Sequence, residues 1–259
     1  MSNLIPESNL QTLKCALCNN YLSVPPIMTI SRDAQRHKCG RCQLIPSDMS
    51  VRNTLYENLA QLSTFPCTFP DCEETLKWGE VEAHEKVCLY KTLRCPVSWK
   101  CNDQVSIKDL TNHCMRYHGK NVSQNQIVAT VEETTEKNKI TIMLLVHKEK
   151  PFLVFRIVTS DNIWIKVFSL TPVENCYYEL SINSDASTCS LFYKNPVEVY
   201  IESRHCKKCT MNECDNKLHK KYKKKIDDAA ADNGFHKVTK EMVAELNMKE
   251  IRCRIVDEE

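Results

Sequence analysis

The stretch from 67 to 118 reads Cys67-x4-Cys72-x11-His84-x3-Cys88 and then, after six residues, Cys95-x5-Cys101-x11-His113-x4-His118. Each half offers two cysteines a few residues apart, then a second ligand pair close to one helical turn apart. Zinc takes four sulfur and nitrogen ligands in a tetrahedron, and a knuckle plus one helix face can supply them. Residues at i and i+4 share a helix face, so the pattern predicts helices within Lys77–Cys88 and Ser106–His118. Ordinary buried cysteines and surface histidines would not fall twice into one pattern with the same x11 gap. A segment this short has too little core to fold without a metal.

Towards the N-terminus the chain repeats the theme with Cys15-x2-Cys18 and Cys39-x2-Cys42. Two such knuckles separated by about twenty residues are a zinc signal of ribbon or RING type. The alternative is four free thiols. His37 is a substitute ligand or, since four cysteines already close one site, an exposed loop residue. A cross-braced RING needs two complete ligand sets, whereas this region supplies only one, so a single metal is expected here. Ser50–Thr64 then reads as a helix connecting to the fingers, with apolar Leu55, Leu59 and Leu62 near i, i+4, i+7.

Composition agrees with metal modules beside a conventional domain. The 259 residues carry a net charge of only +2, so no global attraction to nucleic acid is implied. Sixteen cysteines, many paired at short spacings with histidine nearby, are metal arithmetic rather than a disulfide framework. Met1–Thr12 is polar, and no apolar run reaches the length of a membrane span. Reduced thiols fit an intracellular, cytoplasmic setting. Four glycines and 42% hydrophobic residues argue against global disorder.

After Gly119–Gln126 the pattern turns to period two. Runs rich in Ile, Val, Phe, Tyr and Thr recur at 127–132, 139–146, 151–158, 162–170, 176–182, 188–193 and 196–202, and a last one, Ile251–Ile255, alternates cleanly. Eight strands separated by polar turns predict an antiparallel β-sandwich. Trp164 and Phe168 are read as core. Cys114, Cys176, Cys189 and Cys253 fall outside any four-ligand set and are read as structural. Residues 203–237 interrupt the sheet. Within them Cys206-x2-Cys209-x4-Cys214-x4-His219 has knuckle spacing and could close on a further zinc, or form a hairpin with unbound thiols. Lys220–Lys225, with Tyr222 among five lysines, could contact phosphates, serve as a nuclear import signal, or be a solvated loop. Asp227 and Asp228 dilute that charge and weaken the nucleic-acid reading. Thr239–Leu246 reads as a short helix with Thr239 as N-cap and Met242, Val243 and Leu246 inward.

Residues 67–118 resemble the SINA-type tandem zinc finger of the seven in absentia (SIAH) family of RING-type ubiquitin ligases. The order of modules resembles the family's RING, two fingers and substrate-binding domain. Ser50–Glu57 is similar to the family's junction, and Val24-Pro25-Pro26-Ile27 to the segment after its first RING knuckle. The resemblance implies a degenerate RING-like module at 1–49, a connecting helix at 50–66, tandem fingers at 67–118 and a TRAF-like β-sandwich at 119–259. The 203–237 insertion has no counterpart in it. Three structural zinc ions are expected, with a fourth at Cys206–His219.

What the resemblance implies for activity is docking rather than covalent chemistry. A RING holds a charged ubiquitin-conjugating enzyme in a reactive arrangement, so rate comes from proximity and orientation. Leu17, Pro26 and Ile27 would form part of that docking groove. The sandwich would dimerise and bind client proteins as extended peptides added to a sheet edge, with Phe192 in Leu191–Pro196 as the aromatic contact; otherwise Phe192 and Tyr193 are surface and core of one strand. The chain departs from the family where the middle RING ligand pairs are absent. Gly40 and Arg41 stand where an active RING carries a proline beside the first cysteine, and Gln43 follows where many carry a basic residue. Three readings stay open: a SINA-like ligase or ligase subunit that sends clients to the proteasome, a non-catalytic adaptor with a decayed RING, and a zinc-knuckle nucleic-acid-associated protein acting through 206–225. No Ser–His–Asp set, phosphate loop or carboxylate pair suggests other chemistry.

Overall fold

A computed structural model of the chain describes residue 9 and residues 12–30, 33–42, 50–98, 100–130, 139–184, 190–200, 230–245 and 248–257. The chain divides into two compact units, Met1–Lys91 and Thr92–Glu259, and the division falls between the two fingers.

In the first unit, strands β1 (Met28–Ile30), β2 (Asp33–Lys38) and β3 (Ser50–Arg52) form a sheet of order β2-β1-β3. Because Ser50–Arg52 pairs with β1, the expected helix begins only afterwards, as α1 (Thr54–Ala60). Asn53 caps it by accepting the Tyr56 amide at 3.0 Å. The buried face of α1 is not the leucine stripe expected from the sequence but Glu57 and Ala60, and Leu55 and Leu59 are exposed. The cause is a polar anchor. The Glu57 carboxylate accepts the Ile27 amide at 2.7 Å and the Arg52 guanidinium at 2.9 Å, which ties α1 to the start of β1. The first finger follows as the hairpin β4 (Thr64–Pro66) and β5 (Thr75–Lys77), then α2 (Val81–Val87). Leu22, Val24, Ile27, Ala60, Phe65, Trp78 and Val81 make one core shared by the N-terminal module and this finger.

The second unit opens with the second finger, a hairpin of β6 (Thr92–Arg94) and β7 (Gln104–Ser106) followed by α3 (Leu110–Tyr117). Both finger helices are shorter than expected, since Lys77 and Ser106 are strand ends. The remaining strands are β8 (Val122–Gln124), β9 (Gln126–Thr130), β10 (Lys139–His147), β11 (Lys150–Val158), β12 (Asn162–Ser169), β13 (Cys176–Ser184), β14 (Ser190–Pro196), β15 (Glu198–Val199), β16 (His236–Thr239) and β17 (Met248–Asp257), with α4 (Lys240–Glu245) before the last. They form two sheets. One runs β15-β12-β11-β10-β8 with β16 also on β12, and the other runs β14-β13-β17-β9. Among the described residues these pairings are antiparallel except the short ones of β8 with β10 and β15 with β12. This is the antiparallel sandwich the period-two runs predict, with β8 and β16 added. The chain passes between sheets at Asn125, whose φ of 67° asparagine tolerates better than most residues.

The two sheets close on Ile127, Leu145, Val154, Ile163, Ile165, Val167, Tyr178, Leu180, Ile251 and Ile255, among others. On its opposite face the larger sheet packs Leu144, Leu153, Phe155 and Phe168 against Leu93, Val105, Ile107 and Leu110 of the second finger. With both faces covered, every residue of β12 is buried, and its sequence runs apolar rather than alternating. Trp164 and Phe168 are core, as expected. The second finger shares a core with the sandwich. Cys114, Cys176 and Cys253 are buried, whereas Cys189 lies outside the described residues. Thr239 caps α4 by accepting the Met242 amide at 3.2 Å, and Val243 is buried; Leu246 lies outside the described residues. The interruption of the sheet ends earlier than residue 237: Ala230 already packs against Ile157 and Trp164.

A buried lysine holds both roots of that interruption. Lys166 on β12 donates from Nζ to Glu198 Oε1 at 2.7 Å and to the Asn233 carbonyl at 2.6 Å.

Candidate metal centres

Among the described residues three groups of four candidate ligands assemble: Cys15, Cys18, Cys39 and Cys42; Cys67, Cys72, His84 and Cys88; and Cys95, Cys101, His113 and His118. Within each, all ligand atoms lie within 4.8 Å of one another. The sets are the ones the spacing predicts, residue for residue. Cys206, Cys209, Cys214 and His219 lie outside the described residues, as do Lys220–Lys225 and Gln43.

The local folding explains each placement. In the first group the Cys15–Cys18 knuckle turns back through Asn19, whose φ is 58°, and Lys14 bridges Tyr21. The second knuckle closes because Gly40 lies against the Pro25-Pro26 backbone, donating its amide to Val24 O at 2.8 Å. A methyl group at Gly40 would overlap the Pro25 carbonyl. Arg41, between the last two ligands, faces inward. It donates to Tyr21 O and Ser23 Oγ, each at 2.9 Å, and makes a two-pronged bond to Glu85 on α2 at 2.8 and 2.6 Å. His37 is on β2, not a loop, and contacts Thr29 Oγ1 through Nδ1 at 3.1 Å; it is not among the four ligands.

The spacing between donor atoms suits zinc. A tetrahedral ion with sulfur at about 2.3 Å and nitrogen at about 2.0 Å puts sulfurs roughly 3.8 Å apart and sulfur and nitrogen roughly 3.5 Å apart. Cys15–Cys42 and Cys18–Cys39 are 3.6 Å, and Cys67–Cys88 is 3.9 Å. Cys72–His84 Nε2 and Cys101–His113 Nε2 are both 3.5 Å. His118 Nε2 is buried without a hydrogen-bond partner, as a nitrogen meant for a metal would be. Four protein ligands per group complete a tetrahedron, so these sites suit structural ions rather than an activated water.

In two of the groups one cysteine is favoured as thiolate, while burial first, and then neighbouring thiols, raise its partners Cys18, Cys42 and Cys101. Burial alone would raise the Cys15 thiol, but the amides of Cys18, Cys39 and Leu17 outweigh it and bring it down to about 6. Cys95 is lowered to about 4, first by a hydrogen bond from the Cys114 thiol and then by amides of Ser98 and Val97, against burial. Cys114 is thus more than a buried apolar filler. It sits on α3 one residue beyond the ligand His113 and steadies the sulfur of another ligand. The signal in the sequence was its place on a ligand-bearing helix. Asp103 lies 3.8 Å from His113 Nδ1, on the far side of the ring from its metal-facing nitrogen. Arg41, Glu85 and Glu57 were not picked out by the sequence either, because nothing in their local pattern shows the partner they meet.

The residues expected to dock partners fare differently from one another. Leu17, inside the first knuckle, is exposed and Pro26 is half-buried, but Ile27 is fully buried in the core and offers no surface. Phe192 stands exposed on β14, which pairs with β13 alone among the described strands, and Tyr193 points the other way to pack on the core.

Residues 58–132 match the family model "Sina, zinc finger". The human E3 ubiquitin-protein ligase SIAH2 is 29% identical over 120 residues, covering 40% of this chain and 35% of that protein. The siah-1 ligase of Caenorhabditis briggsae is 28% identical over 120 residues, covering 42% of this chain and 27% of that protein. Putative E3 ubiquitin-protein ligase SINA-like 9 of Arabidopsis thaliana is 27% identical over 178 residues, covering 62% of this chain and 60% of that protein. The chain therefore spans about a third of the length of the animal relatives and rather more of the plant one. Among the described residues no helix is long and apolar enough to cross a membrane. Over residues 58–132, which span both fingers, the chain is thus similar to the zinc finger of the SINA/SIAH ligases.

Proposed function

We propose that this protein is a SINA-like ubiquitin-protein ligase, or the ligase subunit of a larger complex, that brings clients to a ubiquitin-conjugating enzyme and marks them for proteasomal degradation. The observation that carries the reading is the four-cysteine centre at 15–42, whose first knuckle displays Leu17 at the surface between two of the ligands. Three zinc ions are structural in this scheme. The N-terminal module faces the conjugating enzyme through Leu17 and Pro26. The sandwich holds the client as an added strand near Phe192 and a second protomer. The chain supplies no nucleophile or general base; it lowers the barrier by holding the ubiquitin thioester close to the acceptor lysine. Reconstituted autoubiquitination over a panel of conjugating enzymes tests the reading, with wild type compared to Cys39→Ser. Chains made by wild type and lost in the variant support it. Silence across the panel from folded, zinc-loaded protein overturns it.

One observation favours the adaptor reading. Residues 15–42 assemble one metal centre where an active RING has two, and Arg41 is engaged internally with Glu85. A SINA-like adaptor would bind clients yet leave the spectrum of any conjugating enzyme unchanged in an NMR titration.

A further inference from the structure

Of the three ligand groups described above, two share one body. A single apolar cluster buries Cys15 and Cys39 of the N-terminal centre together with Cys67 and Cys88 of the first finger. Cys95 of the second finger belongs to a different cluster, the one closed by the larger sheet of the sandwich. A polar chain also runs between the first two ligand sets. Arg41, next to the ligand Cys42, bonds the Cys39 sulfur and grips Glu85 at 2.6 and 2.8 Å. Glu85 is next to the ligand His84. Thr68, next to the ligand Cys67, donates its hydroxyl to the same carboxylate at 3.1 Å. Each side chain in this chain therefore adjoins a ligand, and the carboxylate is where the two sets meet.

We propose, resting on the zinc-binding reading given above, that the N-terminal centre and the first finger take up and release their ions together, with Arg41 and Glu85 as the positioning residues that join them. The reason lies in α2, which spans only seven residues and is too short to persist alone. His84 lies on it and Cys88 caps it, so their coordination together with Cys67 and Cys72 is what fixes it on the β4–β5 hairpin. When α2 frays, Glu85 leaves Arg41, and a largely buried guanidinium loses its carboxylate. In the other direction, an open second knuckle withdraws Arg41 and leaves Glu85 without its cation. Neither module is long enough to bury a core of its own, so metal binding at either one drives folding of the shared body. Coupling between sites is reciprocal, and about 5- to 150-fold is its usual size. The first finger thereby supplies, from outside residues 15–42, the second metal anchor that a cross-braced RING carries within itself.

The three ligand sets contain four, three and two sulfurs, so cadmium-113 NMR of the full chain, loaded with cadmium in place of zinc, gives each a separate signal. As a chelator is titrated in, the four-sulfur and three-sulfur signals are expected to fall together, and the two-sulfur signal on its own course. Cys72→Ser in the first finger should weaken the hold of the N-terminal centre on its ion by about 5- to 150-fold, and Cys18→Ser should weaken the first finger by the same factor. An unchanged two-sulfur signal establishes that the second finger of each variant is intact. In a Glu85→Ala background, adding Cys72→Ser should cost the N-terminal centre much less than it does in wild type. All three signals present, with the four-sulfur and three-sulfur signals lost independently, would overturn the coupling alone. A loaded wild type lacking either of those two signals would overturn the zinc reading as well. An undiminished effect of Cys72→Ser in Glu85→Ala would overturn Arg41 and Glu85 as the link.

Discussion

Removing Glu85 should loosen the N-terminal zinc module while leaving the sandwich untouched. In the folded chain Arg41 and Glu85 are only 15% and 13% exposed, and the pair is two-pronged. Glu85→Ala leaves a largely buried guanidinium with the Tyr21 carbonyl and the Ser23 hydroxyl as remaining acceptors. Exposed pairs are worth less than about 1 kcal/mol, whereas stripping one partner from a buried pair costs about 3–5 kcal/mol. With the two surviving bonds retained, about 2–3 kcal/mol is expected. At about 1.4 kcal/mol per decade that is roughly a 30- to 150-fold rise in the opening equilibrium of the module. Amide exchange read by mass spectrometry over residues 15–42 should speed up by that factor, with peptides from 150–169 serving as the unchanged reference. Arg41→Met combined with Glu85→Leu should recover much of the loss, because no charge is left buried alone. A change below threefold in Glu85→Ala would refute the idea that this pair couples the second knuckle to the first finger.

Three further outcomes follow from the geometry. Gly40→Ala drives a methyl group into the Pro25 carbonyl, and at about 1–3 kcal/mol for overpacking it should lower zinc retention of the N-terminal centre selectively, as followed with a chromogenic chelator. Cys114→Ala removes the hydrogen bond to the Cys95 sulfur and should weaken zinc binding by the second finger roughly tenfold, with the first finger unaffected. His236 packs at 4.1 Å from the Tyr193 ring, and burial lowers its pKa below the usual 6.5. The unfolded chain then binds the proton more readily, so sandwich stability should fall as pH drops below about 6.5. His236→Phe should flatten that slope in thermal melts, and an unchanged slope would remove His236 as its source.

The three Cys/His clusters were legible because coordination fixes residue type and spacing together, so twelve positions could be grouped without knowing the fold. The strands were nearly as clear, except where pairing depends on a partner far along the chain. Val122–Gln124 becomes a strand only because β10 offers it an edge, and His236–Thr239 only because β12 does. The leucines of α1 show the limit of periodicity: it identifies a face but not which face is covered. Here a single carboxylate, Glu57, decides the matter by binding an amide and a guanidinium that lie apart from it in sequence. Likewise Leu93, Val105 and Leu110 look like ordinary finger residues, and only the packed chain shows that they complete the outer core of the larger sheet.

The Lys166 clasp carries a consequence for how the sandwich tolerates change. The Glu198 carboxylate and the Asn233 carbonyl touch the same ammonium group, so the two ends of the intervening segment are held to one side chain. Whatever its length, that segment leaves and re-enters the domain at one point. Lengthening it adds only slowly to the cost of closing the loop, about 0.6 kcal/mol for each doubling. The edge of β12 thus works as a socket, into which a foreign sequence or a short turn could be spliced while the strands on either side keep their register.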